Sequence, residues 1–195
     1  MIDLLRIPYE ISLSNIENYP YIFPKVSLSK LKKLRMTDIA LYSMITSDNA
    51  EYLVKLIKQL LSKYNIKLNT LNRLDLGCNT GGILYYLLNE CKHMTGIEFE
   101  PLHVEICYDN IRILNKKLLD SLTLIYGDVE EIFMGNKINI SNLKYYNSEY
   151  VKANVTNNNL KNIDLVYIGT PFIDLQYGNT RVELLIVRMI KLYKP

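Results

Sequence analysis

Tryptophan is absent from the 195 residues, so any stacking on a planar ligand falls to phenylalanine or tyrosine. Cysteine is limited to Cys78, Cys91 and Cys107. Their odd number and the lack of a Cys-x-x-Cys pair argue against a disulfide framework and a structural zinc site, and favour a reducing compartment. The two histidines, His93 and His103, stand apart from any cysteine cluster, which leaves little to hold a metal. Nowhere do about 18 apolar residues run together, and the opening Met-Ile-Asp has no basic region ahead of an apolar core, so neither a membrane span nor a secretory leader is expected. The net charge of +3 permits contact with nucleic acid without arguing for it. These absences lead us to expect an intracellular protein, nuclear or cytoplasmic, with no membrane partner. What is present suffices for a core: 49% hydrophobic against 22% charged residues, over a length that suits one domain with an appendage.

Residues 1–45 are expected to form an N-terminal helical arm, ahead of a domain over 46–195. The arm begins irregularly, with Pro8, Pro20 and Pro24 among Tyr9, Tyr19 and Tyr21 and no steady period. Lys25, Lys30, Lys32, Lys33 and Arg35 then follow without an acid between them, a stripe for a polyanion backbone or an ordinary solvated helix face. Thr46-Ser47-Asp48 opens a helix whose apolar stripe is Ala50, Leu53, Val54, Ile57, Leu60 and Leu61. Between 135 and 162 nine asparagines crowd together with Tyr145, Tyr146 and Tyr150, and no period holds. We expect an insertion there, mobile and partly ordered, after a short helix at 130–133.

The decapeptide Arg73-Leu-Asp-Leu-Gly-Cys-Asn-Thr-Gly-Gly82 reads as a buried strand that ends in an acid, Asp75, and falls into a glycine turn opening an amphipathic helix over 83–88. Gly77, Gly81 and Gly82 have no β-carbon to keep a ligand off the main chain; the bland alternative is a tight turn with no ligand. A second run, Met94 to Phe99, carries Glu98 at its end, where a doubly wound sheet presents a carboxylate to a ribose hydroxyl pair. Pro101 then starts a helix pattern through Ile106, Ile111 and Leu114. A third run, Leu122 to Tyr126, leads into Gly127-Asp128-Val129, an acid able to accept from an adenine amine beside an apolar side chain able to pack on the ring. Asn79 stands where a dinucleotide fold wants its middle glycine, and no lysine in the turn grips a phosphate. Three acids at three successive strand ends therefore describe a purine nucleoside pocket without phosphates.

This arrangement resembles the class I S-adenosylmethionine-dependent methyltransferases over roughly residues 40 to 195, with Asp75 to Gly82 similar to their first motif and Ile163 to Phe172 to their fourth strand and catalytic tetrapeptide. The resemblance implies an α/β fold, a doubly wound Rossmann-like sheet, with S-adenosylmethionine as cofactor. It assigns the cofactor to Asp75, Gly77, Asn79, Gly81, Glu98, Phe99, Asp128 and Val129, and acceptor alignment to Thr170, Pro171 and Phe172. Within the class, Asp164 to Phe172 and the Cys78, Gly81 and Gly82 positions are similar to the trimethylguanosine synthases, and Tyr42 to Asp48 resembles a segment upstream in that group. An RNA substrate, capped or structured, with a guanine exocyclic amine as acceptor, is what this similarity implies. Ribosomal RNA guanine methyltransferases with Asp-Pro-Pro-Tyr are similar as well. Phe172, with Tyr42 or Tyr177, would stack the base where that group uses tryptophan. Gly169 offers no acceptor side chain, which leaves backbone carbonyls or the Thr170 hydroxyl to polarise the amine, and which keeps a catalytically silent binding domain as the alternative. Residues 182–193 have a helix pattern, and the family order 3-2-1-4-5-7-6 would need about 50 residues more by ordinary element lengths. The sheet is thus expected to be short at its C-terminal side, with strand four at an edge open to a protein partner.

Overall fold

Asn72–Leu76 (β1), His93–Glu98 (β2), Leu122–Tyr126 (β3) and Leu165–Ile168 (β4) are short, the last two apolar with Thr123, Ile125, Val166 and Ile168 β-branched, and they pair in parallel as one sheet of order β3-β2-β1-β4. The computed structural model describes residues 8–11, 22–129, 132 and 162–168. The tetrapeptide with Thr170, Pro171 and Phe172, Tyr177, the 182–193 pattern and most of the asparagine-rich insertion lie outside the described residues. The helical turn expected at 130–133 is represented by the Ile132 amide, which donates to Asp128 O at 3.0 Å.

Parallel neighbours need crossovers, and two helices provide them: Gly82–Leu88 (α4) between β1 and β2, and Pro101–Asn115 (α5) between β2 and β3. Pro101 sits at the first turn of α5, where its missing N–H costs nothing, and Glu100 caps that end by accepting the Leu102 amide. An earlier helix, Ser47–Ser62 (α3), begins after Thr46 and lays Ala50, Val54, Ile57 and Leu61 inward. All three helices cover one sheet face, sharing a core with Met94, Leu124, Leu165 and Tyr167. The pleat sends Leu74, Ile97 and Ile125 to the other face, where Ile132 joins them. Arg73 and Asp75 alternate with Leu74 on β1 and so point to the helical face. Arg73 is 1% exposed; it donates to Leu87 O and Leu68 O at 3.0 Å and to Glu90 O at 2.7 Å, tying the end of α4 back to its own strand. Burial pushes its pKa down to about 10.

The N-terminal stretch is packed on the sheet domain. Two short helices, Leu28–Leu31 (α1) and Asp38–Ser43 (α2), bracket an extended segment whose Met36 and Asp38 hydrogen-bond antiparallel to Ile11 and Tyr9. Ile22, Phe23, Leu34, Met36, Ala40 and Met44 form a core with Leu114 of α5. The basic stretch is partly engaged within the fold. Arg35 bonds Glu10, Glu105 and Asp109, the Lys30 ammonium donates to Leu114 O, and Lys25 lies 3.6 Å from Asp48; Lys32 and Lys33 stay exposed. No helix among the described residues is long and apolar enough to cross a membrane.

Candidate functional site

At the carboxyl end of β1 the chain leaves the sheet through Gly77 at φ +81, Asn79 at φ +51 and Gly81 at φ +96, left-handed positions that glycine and asparagine tolerate. The amides along this turn are engaged inside the protein. Those of Gly77 and Cys78 donate to Ile97 O at 2.9 and 3.0 Å, that of Asn79 to Glu98 Oε2 at 2.8 Å, that of Thr80 to Asn79 Oδ1 at 2.7 Å, and that of Gly81 to Cys78 O at 3.0 Å. Two of the glycines have close protein neighbours. A β-carbon at Gly81 would sit 3.0 Å from Cys107 Sγ, and one at Gly82 only 2.7 Å from Met44 Cε. Close packing of α5 and of residue 44 uses the space beside these two glycines.

The two central acids come together. In register, Asp75 pairs with Gly96, two residues before Glu98 on the adjoining strand, and both side chains lie on the helical face. Asp75 is fully buried, and neither of its oxygens has a hydrogen-bond partner among the described residues. Burial, reinforced by the charge of Glu98, pushes its pKa up to about 8. Glu98 is 4% exposed and better satisfied, accepting the amides of Asn79 at 2.8 Å and of Glu100 at 2.9 Å; burial raises its pKa while backbone hydrogen bonding lowers it. Both acids are thus buried at the strand ends.

The third acid lies beside them. Gly127 donates to Glu98 O at 3.0 Å, which sets Asp128 at the neighbouring strand end, exposed, with Val129 half-buried after it. Phe99 is 68% exposed next to Glu98, a large ring held in solvent at the strand ends. Asp75, Gly77, Asn79, Gly81, Glu98 and Phe99 thus cluster around the β1 and β2 ends, with Asp128 and Val129 adjoining. A groove of about 440 Å³ between residues 24–26, α3 and α4 lies on the flank of the molecule and includes none of them.

Cys78, in the turn, is a packing residue, 2% exposed, and the neighbouring Cys107 thiol and then burial raise its pKa. Two further participants give no signal of their part in the sequence. Asn110 of α5 donates to Thr80 O and Arg35 O while accepting the Arg35 amide. His103, in the first turns of α5, is 5% exposed, and burial pushes its pKa down to about 4, so the ring is neutral. Among the described residues no group of three or more His, Cys, Asp or Glu side chains is placed to hold a metal ion.

No protein-family profile matches the chain, and no curated protein matches it. Solved structures resemble parts of it. One is an O-methyltransferase from Bacillus cereus in complex with SAH, 17% identical, with 65% of this chain and 46% of that chain covered at a TM-score of 0.41. Another is a precorrin 8w decarboxylase from Methanobacterium thermoautotrophicum, also 17% identical, with 64% and 49% covered at 0.40. The methyltransferase domain of a bacterial Hen1 is 24% identical, with 41% and 40% covered at 0.32. The chain spans about half the length, or less, of each of these structures.

Proposed function

We propose that the chain binds S-adenosylmethionine at the carboxyl ends of β1, β2 and β3 and acts as a methyltransferase on a guanine exocyclic amine in RNA. One observation carries the cofactor reading: two buried carboxyls, Asp75 and Glu98, meet at a glycine turn whose amides are already bonded within the protein. Such a site has acceptors to offer and few donors. Phosphates need N–H groups and positive charge, whereas a dinucleotide would meet carboxyl acceptors and an occupied turn. A ligand that presents hydroxyls, an exocyclic amine and positive charge suits the same groups. The unsatisfied Asp75 carboxyl is what such a fit requires, since a buried acid without a partner is costly until a donor or cation reaches it.

When bound, S-adenosylmethionine supplies an electrophilic sulfonium methyl; the rest is alignment by the chain. Asp75 would hold the amino-acid end, Glu98 the ribose hydroxyls and Asp128 the adenine amine, with Val129 and Phe99 against the ring. On the acceptor side, Phe172 would stack the base, worth about 1–3 kcal/mol by analogy with measured base stacking, while Thr170 and Pro171 orient the amine. A capped RNA of the kind used by trimethylguanosine synthases and a ribosomal RNA guanine are the two acceptors this supports, and a partner protein along β4 belongs to the same proposal. The second reading is a silent methyltransferase-like binding domain, favoured by Gly169, which has no side chain to accept from the amine.

Titration calorimetry with S-adenosylhomocysteine and with NAD tests the cofactor. Binding of the first and not the second is expected, and Asp75→Ala or Glu98→Ala should weaken it; NAD binding with no response to S-adenosylhomocysteine overturns the proposal. Label transfer to capped and ribosomal RNA tests the acceptor. Phe172→Ala should remove most turnover at unchanged cofactor affinity. If wild type and Gly169→Asp are both inert on every RNA while the cofactor binds, the silent reading stands.

A further inference from the structure

The Glu98 carboxylate is approached on both sides by side chains rooted in one short helix. On one side its Oε2 accepts the Asn79 amide at 2.8 Å, and Asn79 Nδ2 donates at 2.8 Å to the hydroxyl of Ser43, the last residue of α2. Ser43 Oγ in turn donates to Ile39 O within the helix. On the other side His103 Nδ1 lies 4.0 Å from Glu98 Oε1, and His103 Nε2 lies 2.8 Å from Oγ1 of Thr37, the N-cap of α2. The Thr37 oxygen also accepts the Ala40 amide, so this hydroxyl joins the first turn of α2 to the His103 ring. Nδ1 is the ring nitrogen on the Glu98 side. Thr37, His103 and Glu98 are all buried.

We infer that α2 is a positioning element of the ligand site: Thr37 through His103, and Ser43 through Asn79, set the direction in which Glu98 offers its remaining acceptor positions to a ligand's ribose hydroxyls. The inference rests on the cofactor reading above and adds the residues that aim its ribose acid. A carboxylate has about four acceptor positions. The amides of Asn79 at Oε2 and of Glu100 at Oε1 already occupy one position on each oxygen, so what remains is directional, and small rotations of the side chain forfeit it. The neutral imidazole packs beside the carboxyl, 4.0 Å away, and forms no ion pair with it. Apolar packing at Ala40 and Met44 would seat α2 without any polar side chain, whereas the hydrogen-bonding groups at its two ends converge on one carboxylate.

The test compares S-adenosylhomocysteine with its 2′-deoxyribose analogue by calorimetry on wild type, Ser43→Ala, Ser43→Thr and Thr37→Val. Wild type should prefer the hydroxylated ligand by about tenfold or more, the worth of a hydrogen bond to a charged acceptor. Ser43→Ala and Thr37→Val should shrink that preference to within about threefold while leaving the deoxy ligand's affinity nearly unchanged, and Ser43→Thr should restore it. Thr37→Val also removes the α2 cap; should it fail to fold, His103→Gln interrupts the same arm. If the variants melt earlier yet keep the full preference, α2 is packing alone and the inference is overturned. A wild type that binds both ligands equally overturns the inference and leaves the cofactor reading standing. Should it bind neither, the cofactor reading falls and takes the inference with it.

Discussion

Asp75 makes function and stability pull in opposite directions. Its folded pKa of about 8 lies above the ~3.9 of an unfolded aspartate, so between those values the native state holds a proton that the unfolded chain has released. Stability from this group is therefore greatest below about pH 4 and falls as pH rises through 8. His103 acts with the opposite sign, because a folded pKa near 4 against ~6.5 unfolded makes stability fall as pH drops through that interval. The difference between wild type and Asp75→Asn isolates the acid: thermal melts at pH 5, 7 and 9 should show the variant gaining on wild type as pH rises, even as S-adenosylhomocysteine binding is lost. A neighbouring position shows how little room the site has. A β-carbon at Gly96 would lie 2.6 Å from Leu84 Cδ1 and 2.9 Å from Cys78 Sγ, so Gly96→Ala should cost about 1–3 kcal/mol in urea unfolding by overpacking.

Among the elements, β1 and α4 depend on a single buried cation. Replacing Arg73 by leucine strips three carbonyls of their donor in a closed interior, and a loss of at least about 2 kcal/mol by denaturant unfolding is expected, with Arg73→Lys intermediate because an ammonium cannot span all three. The strands and long helices were legible from local pattern: the run 122–126 coincides with β3, and Pro101 marks the start of α5. Asp75 and Glu98 were legible as strand-end acids because a parallel strand delivers its last residues to one edge. Their burial was not, since it depends on the turn after β1 and on α5 folding over the strand ends. Long-range contacts likewise explain why Lys25 to Arg35 read as a free cationic stripe: the acids engaging Arg35 are Glu10, 25 residues before it, and Glu105 and Asp109, 70 and 74 after. Charge partners at such separations leave no periodic trace. α2 is hidden for a related reason, because its polar ends look like ordinary caps until Asn79 and His103 fold against them.

Across the whole molecule the N-terminal stretch and the sheet share one core through Leu114, so unfolding should be a single transition in which both melt together. Ligand should raise it: S-adenosylhomocysteine at a hundred times its Kd adds about 2.7 kcal/mol, or roughly 5–10 °C in Tm for a chain of this size, measurable by differential scanning fluorimetry. The seam between the two parts is lined with sulfur. Thr80 Oγ1 donates to Met44 Sδ and reaches Met36 Sδ at 3.8 Å, and Met44 Cε fills the space that Gly82 leaves. Peroxide would convert a thioether here into a polar sulfoxide, with an added oxygen in a gap that has no room for a single carbon. Oxidative ageing should then pry the helix from the turn while the sheet survives, so a stored sample can lose its ligand affinity with its far-UV circular dichroism nearly intact.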